Sequence, residues 1–205
     1  MRNDPKGAVY DSARETPPAR ATRNAVMPYM SLTSTHRLVW VALMAALISV
    51  GGMIFIPIGP VPISLQTMFV ALAGLLLGPL HGFLAVALFL GAGVIGLPVF
   101  AGGKAGLGVL LGPTGGYLAA FLLTAFIYGL AGGRARKPLW LTVILCLCAL
   151  LLTYVLGSLR LAFVIDVSVA KALTLGALPF FIGDVFKVSV AISAFRFLQR
   201  KRLIP

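Results

Sequence analysis

From Leu38 to Phe197 the chain alternates between long apolar runs and short breaks rich in glycine and proline. A helix needs about 20 apolar residues to cross the hydrocarbon core of a bilayer. Six runs fit that pattern, over residues 38–56, 63–77, 82–97, 115–130, 139–159 and 179–197. The second and third are short and separated only by "GPLH". The connection over 101–114 is dense in glycine, and 160–178 keeps a soluble-type pattern with room for a short helix at the membrane surface. Residues 1–36 are polar and basic and contain Pro17, Pro18 and Pro28, which predicts a disordered tail. They lack the apolar core of a secretory signal, and Met27 and Met30 offer later start positions. The reading is therefore an all-α membrane protein, with a basic tail over 1–36 and a six-helix transmembrane domain over 37–202.

Composition agrees with this class. Of 205 residues 60% are hydrophobic and 11% charged, against about 25% charged in an ordinary soluble domain. The net charge of +12 suggests nucleic acid only until the cations are located. They gather in the tail, in "GRARK" and at the C-terminus, with no basic face interleaved with aromatics, so no nucleic-acid partner is expected. With both termini cytoplasmic, thirteen cations fall on the inner side and three (Lys104, Arg160 and Lys171) on the outer. That asymmetry is the one cytoplasmic loops carry. It turns "IPIGPVPISLQT", the 101–114 loop and the start of the sixth helix outward.

The chemistry-bearing residues are few. Cys146 and Cys148 are two apart, so they point different ways on a helix; with no His or Cys nearby to complete a metal site, they read as small apolar residues. "GAGVIG" (91–96) matches a dinucleotide fingerprint but sits inside an apolar span with no acid following, and reads instead as helix-packing glycine. No phosphate-binding loop, H-E-x-x-H or G-x-S-x-G occurs, so neither catalysis nor a bound cofactor is expected, and any ATP hydrolysis belongs to another subunit. Small residues four apart (Gly74/Gly78, Gly129/Gly133, Ala42/Ala46) allow close helix packing, and Ala42/Ala46 suits a docking face for another membrane protein.

What stands out is "FFIGDVFKVSV". After Glu15 the chain has only two carboxylates, Asp166 and Asp184, and Asp184 lies in this apolar run three residues before Lys187. Residues three apart share a helix face. Ionisable residues in spans face a bundle interior or a water-filled cavity and mark function by default. Asp184 is five residues past Pro179, about 7.5 Å along the helix, which puts it at outer-leaflet depth. An acceptor and a donor there suit a small polar ligand with N–H groups and a carbonyl or carboxylate.

With these residues in view, the chain resembles the BioY family, the substrate-binding S components of biotin transporters of the energy-coupling factor (ECF) type. "PVPISLQT" (60–67), "GLPVFAGG" (96–103), "LGPTGGY" (111–117) and "LPFFIGDVFK" (178–187) carry the likeness, in order, across about 40–195. The resemblance implies the S-component fold in the cell membrane and high-affinity biotin uptake. Its implied partners are an ECF transmembrane coupling protein and paired ABC-type ATPases. It further implies that Asp184 and Lys187 contact biotin and that Ala42 and Ala46 dock the coupling protein. Gln66, Thr67, Thr114 and Tyr117 would complete a polar lining, Val99 and Phe100 an apolar wall, and Lys104 is the other polar side chain the loop offers. An S component for another vitamin, or biotin facilitation without ATPases, is the alternative reading.

Overall fold

The computed structural model describes residues 34–132 and 137–201. The expected tail, apart from residues 34–36, and Gly133 of the Gly129/Gly133 pair lie outside the described residues. The described chain is helical: α1 (Ser34–Met53), α2 (Gln66–Val94), α3 (Leu107–Leu111), α4 (Gly115–Ala131), α5 (Leu139–Ile165), α6 (Val169–Gly176) and α7 (Leu178–Arg200). A two-residue ribbon, β1 (Phe55–Ile56) against β2 (Ile63–Ser64), joins α1 to α2 in antiparallel register, Phe55 opposite Ser64. Four of the helices, α1, α2, α5 and α7, are long and apolar enough to cross a membrane, and α4 is a shorter apolar helix.

The second and third expected runs are the two arms of α2. Gly78 breaks the helix with φ +80° and ψ −179°, a conformation an L side chain resists, and Pro79 follows without an N–H to donate. The chain folds back there. A Cβ on Gly82 would lie 2.8 Å from the Cα of Gly74, so residues eight apart in sequence touch across the hairpin. α4 packs on that hairpin through small residues: Gly74 lies against the Ala125 carbonyl and Tyr128, and Gly129 against the backbone of Gly78 and Pro79. The glycines at Gly74, Gly78 and Gly129 therefore serve packing within the chain.

Other expectations need adjustment. α5 runs to Ile165, past the expected end at 159, and stops where Asp166 takes the left-handed conformation (φ 51°). The soluble-type stretch after it does hold a short helix, α6, whose Ser168 cap accepts from the Lys171 N–H at 3.4 Å. The glycine-dense 101–114 loop holds the short helix α3. Cys146 is buried and Cys148 exposed, facing different ways as their spacing requires. Ala42 and Ala46 are exposed on α1.

The core collects Ile48, Val70, Leu75, Val86, Phe89 and Ala149 from α1, α2 and α5. The helix ends sort into two groups. The start of α1, the Gly78 turn, the end of α4, the start of α5 and the end of α7 meet at one end, tied there by Arg196 donating to the Lys137 carbonyl at 3.2 Å. The ribbon, the loop after α2 and α6 gather at the other.

Candidate functional site

The site is built around the buried face of α7. Phe180, Asp184, Lys187, Val188, Ala191 and Phe195 recur at helical spacing on that face, so the two charges point into the bundle with its apolar residues. Asp184 is 4% and Lys187 9% exposed, and the ammonium Nζ stands 2.8 Å from Asp184 Oδ1. A buried ion pair holds only when its remaining capacity is met by further hydrogen bonds. Here Thr67 Oγ1, on the first turn of α2, donates to Oδ1 at 3.0 Å, and Tyr154 OH, on α5, donates to Oδ2 at 2.9 Å. Lys187 Nζ also donates to the Ser64 carbonyl on β2 at 2.7 Å.

Counting capacity is informative. Oδ1 accepts two hydrogen bonds, while Oδ2 accepts one from Tyr154, so Oδ2 keeps one acceptor position. Lys187 uses two of its three N–H groups. Among the described residues, one donor and one acceptor position thus remain unfilled on a pair that lines a cleft.

That cleft has about 700 Å³ of space, its open mouth included. Asp184, Lys187, Gln66, Thr67, Phe100, Lys104, Thr114 and Tyr117 all line it. Val99, expected in the apolar wall, does not. Its carbonyl instead accepts from Gln66 Nε2 at 3.3 Å, fastening the loop after α2 to the start of α2. The apolar wall is Phe100 with Val61, Ile63, Leu118, Phe121 and Phe180. Phe100 is buried because Gly93 leaves its ring room, where any Cβ would collide with it.

The expected polar residues differ in what they offer. Tyr117 presents its ring, but its hydroxyl donates to the Gly176 carbonyl at 2.9 Å and meets Ser158 Oγ at 3.4 Å, clasping α4, α5 and α6. Thr114 Oγ1 is turned to the Val109 carbonyl at 3.5 Å. Lys104 is exposed in the loop that borders the cleft. Sequence reasoning missed Tyr154 and the Ser64 carbonyl. Tyr154 had a usable signal, since a phenol inside an apolar span needs a buried hydrogen-bond partner.

Asp166, the other described carboxylate, is exposed at the end of α5 and does not line the cleft, and no group of His, Cys, Asp and Glu suited to a metal occurs among the described residues.

Fold and cleft together define a multi-pass helical membrane protein with a partly open, mixed polar and apolar cleft at one end. The chain belongs to the BioY family, whose model matches residues 22–203. It is 45% identical over 152 residues to the probable biotin transporter BioY of Pyrococcus horikoshii, covering 74% of this chain and 89% of that one. The biotin transporter BioY of Thermotoga maritima is 42% identical over 156 residues, covering 76% and 91%. Among solved structures, the S-component for biotin from an ECF-type ABC transporter superposes with a TM-score of 0.74 at 33% identity, covering 81% of this chain and 92% of that one.

Proposed function

We propose that this protein captures biotin and supports its uptake across the cell membrane as the substrate-specific component of an ECF-type transporter. The observation that carries the reading is the Asp184–Lys187 pair, which is buried, lines the cleft and keeps one acceptor and one donor position unfilled among the described residues. A ureido group offers the complement, an N–H beside a carbonyl. Asp184 Oδ2 accepts from the ureido N–H, and the third Lys187 N–H goes to the ureido carbonyl. Gln66, Thr67, Thr114 and Tyr117 border the ligand, Phe100 walls it, and the valerate carboxylate points toward Lys104 at the mouth.

Six helical segments cross the membrane in this reading: α1, the two arms of α2, α4, α5 and α7. Both termini are cytoplasmic, because the end that carries Arg37, Lys137, Arg196, Arg200 and Lys201 is the cation-rich one. The cleft then opens outward. Residues 1–36 form a basic tail on the inner side. The exposed Ala42 and Ala46 on α1 receive the ECF transmembrane coupling protein, and its paired ATPases hydrolyse the ATP, the chain itself binding no cofactor.

Radiolabelled biotin retained by the purified chain tests the ligand, with riboflavin and thiamine as competitors. Displacement by another vitamin and not by unlabelled biotin would replace the ligand assignment. Uptake into proteoliposomes, with and without the coupling subunits and ATP, tests the mechanism. Uptake by the chain alone, unchanged by those subunits, would make it a facilitator instead.

A further inference from the structure

At the end of the bundle opposite the cleft, α1 and the second arm of α2 leave a groove between them. Arg37, Leu38 and Val41 line it from α1, and His81, Leu84 and Leu88 from α2. It holds about 1140 Å³ of space, its open side included. Both helices run inward from this end, so sequence position reads as depth. At 1.5 Å per residue Val41 lies about 6 Å below Arg37, and Leu84 and Leu88 about 4.5 and 10.5 Å below His81. Cation and imidazole stand at the rim, and everything deeper is apolar.

Among the described residues, no carboxylate lies near the rim to balance its charge. Arg37 is a permanent cation, and His81 has an N–H to donate in either protonation state. The described carboxylates are Asp166, at the far end, and Asp184, committed to Lys187. A rim that wants an anion above an apolar furrow is the complement of an amphiphile. A bilayer supplies one at this depth: a phosphate at the interface, with an acyl chain beneath it. Arginine binds phosphate through two parallel N–H groups, and basic pockets between transmembrane helices at the cytoplasmic side suit anionic lipid headgroups. On α1 the groove residues Arg37, Leu38 and Val41 centre about 110° around the helix from Ala42 and Ala46, with Ala42 one turn below Leu38 at the border between the two faces.

We propose that this groove seats an anionic phospholipid, its phosphate held by Arg37 and His81 and its acyl chain laid along Leu84 and Leu88. The assignment to the cytoplasmic leaflet rests on the orientation proposed above; the groove itself does not. The lipid would brace the start of α1 against the α2 hairpin.

The test is native mass spectrometry of the full chain released from detergent containing phosphatidylglycerol and phosphatidylcholine with matched acyl chains. Phosphatidylglycerol should be retained in preference to phosphatidylcholine. The Arg37→Gln/His81→Gln protein should lose that preference by about fivefold or more, with phosphatidylcholine retention and biotin binding unchanged. Ala87→Phe, which fills the groove and leaves the charges in place, should lower phosphatidylglycerol retention as well. Arg200→Gln/Lys201→Gln, which removes cations of the same end outside the groove, should keep it. Undiminished retention in the Arg37/His81 variant overturns the proposal. So does an equal loss in the Arg200/Lys201 variant, which would make the attraction diffuse, or a dimer mass that depends on Arg37. Biotin binding by the wild-type chain is read in parallel, so failure of the ligand assignment is seen separately from failure of the lipid site.

Discussion

α7 and α1 are both long apolar helices, and they do opposite things with their polar capacity. α7 turns Asp184 and Lys187 inward, where α2, α5 and β2 each supply a hydrogen bond to the pair. α1 contributes no charged group to the cleft and leaves Leu43, Val50, Ala42 and Ala46 exposed. In the proposed function one helix holds the ligand, and the other leaves a bundle-exposed surface suited to a second helix. The two are nevertheless joined, because the last turn of α1 is tied to the loops of the cleft. The Gly51 carbonyl accepts from the Leu65 N–H and the Gly52 carbonyl from the Gly102 N–H, each at 3.0 Å. The proposed binding and docking surfaces are thus separate in residue and linked through backbone.

The largest effect is expected at Asp184. Asp184→Asn leaves Lys187 buried without its counter-charge, a loss of about 3–5 kcal/mol in a buried pair. Biotin affinity should fall by more than about 100-fold and the melting temperature should drop. A structural role alone predicts the same melting result, so the double variant Asp184→Asn/Lys187→Met is the informative one. Removing both charges should recover most of the thermal stability while binding stays lost, measured by calorimetric titration. Biotin affinity within tenfold of wild type in the double variant would refute the ligand role of the pair.

Tyr154 and Thr67 position Asp184, and the next effect belongs to them. Tyr154→Phe removes one hydrogen bond to the carboxylate, and bonds to charged groups contribute about 1.5–3 kcal/mol. Roughly tenfold weaker biotin binding is expected, with the fold intact by circular dichroism. Affinity as weak as in Asp184→Asn would mean that Tyr154 touches the ligand directly.

This residue marks where sequence reading stops. Asp184 and Lys187 were legible because charges are rare in this chain and conspicuous in an apolar run. The helices were legible for the same physical reason, since lipid demands long uninterrupted apolar segments. Tyr154 gave only half a signal: the phenol in "LTYVLG" needs a buried partner, but that partner, Asp184, lies on a different helix 30 residues away. Ser64 acts through its carbonyl, which no side-chain pattern reports. Val99 is the converse: it was expected for its side chain, whereas its backbone oxygen is what the loop uses. The α2 hairpin was readable as a break at "GPLH", but the packing of Gly74 on Gly82 across it appears only once the chain has folded back.

A smaller loss tests the link between the two helices. A Cβ on Gly52 would lie 2.7 Å from Gln66 Nε2 and 2.9 Å from the Val99 carbonyl, inside contact distance of both. Gly52→Ala should therefore part the hydrogen bond that fastens the loop after α2. With such bonds contributing about 0.5–1.5 kcal/mol, biotin should bind about three- to tenfold more weakly, mainly through faster dissociation. Unchanged dissociation would show that α1 is not mechanically tied to the cleft.

The smallest effect on binding is expected on the outward face of α1. Ala42 and Ala46 are exposed, so larger side chains there displace nothing within the chain, and exposed substitutions usually stay within about 0.5 kcal/mol. Ala42→Leu/Ala46→Leu should leave both biotin affinity and melting temperature at wild-type values in the isolated protein. Close approach of two membrane helices depends on small residues, so the same change should reduce co-purification with the coupling protein and its ATPases about tenfold or more. ATP-dependent uptake into proteoliposomes should fall in proportion. Normal assembly and uptake with weakened biotin binding would reverse the division of labour, assigning α1 to the ligand and leaving the docking face to be found elsewhere.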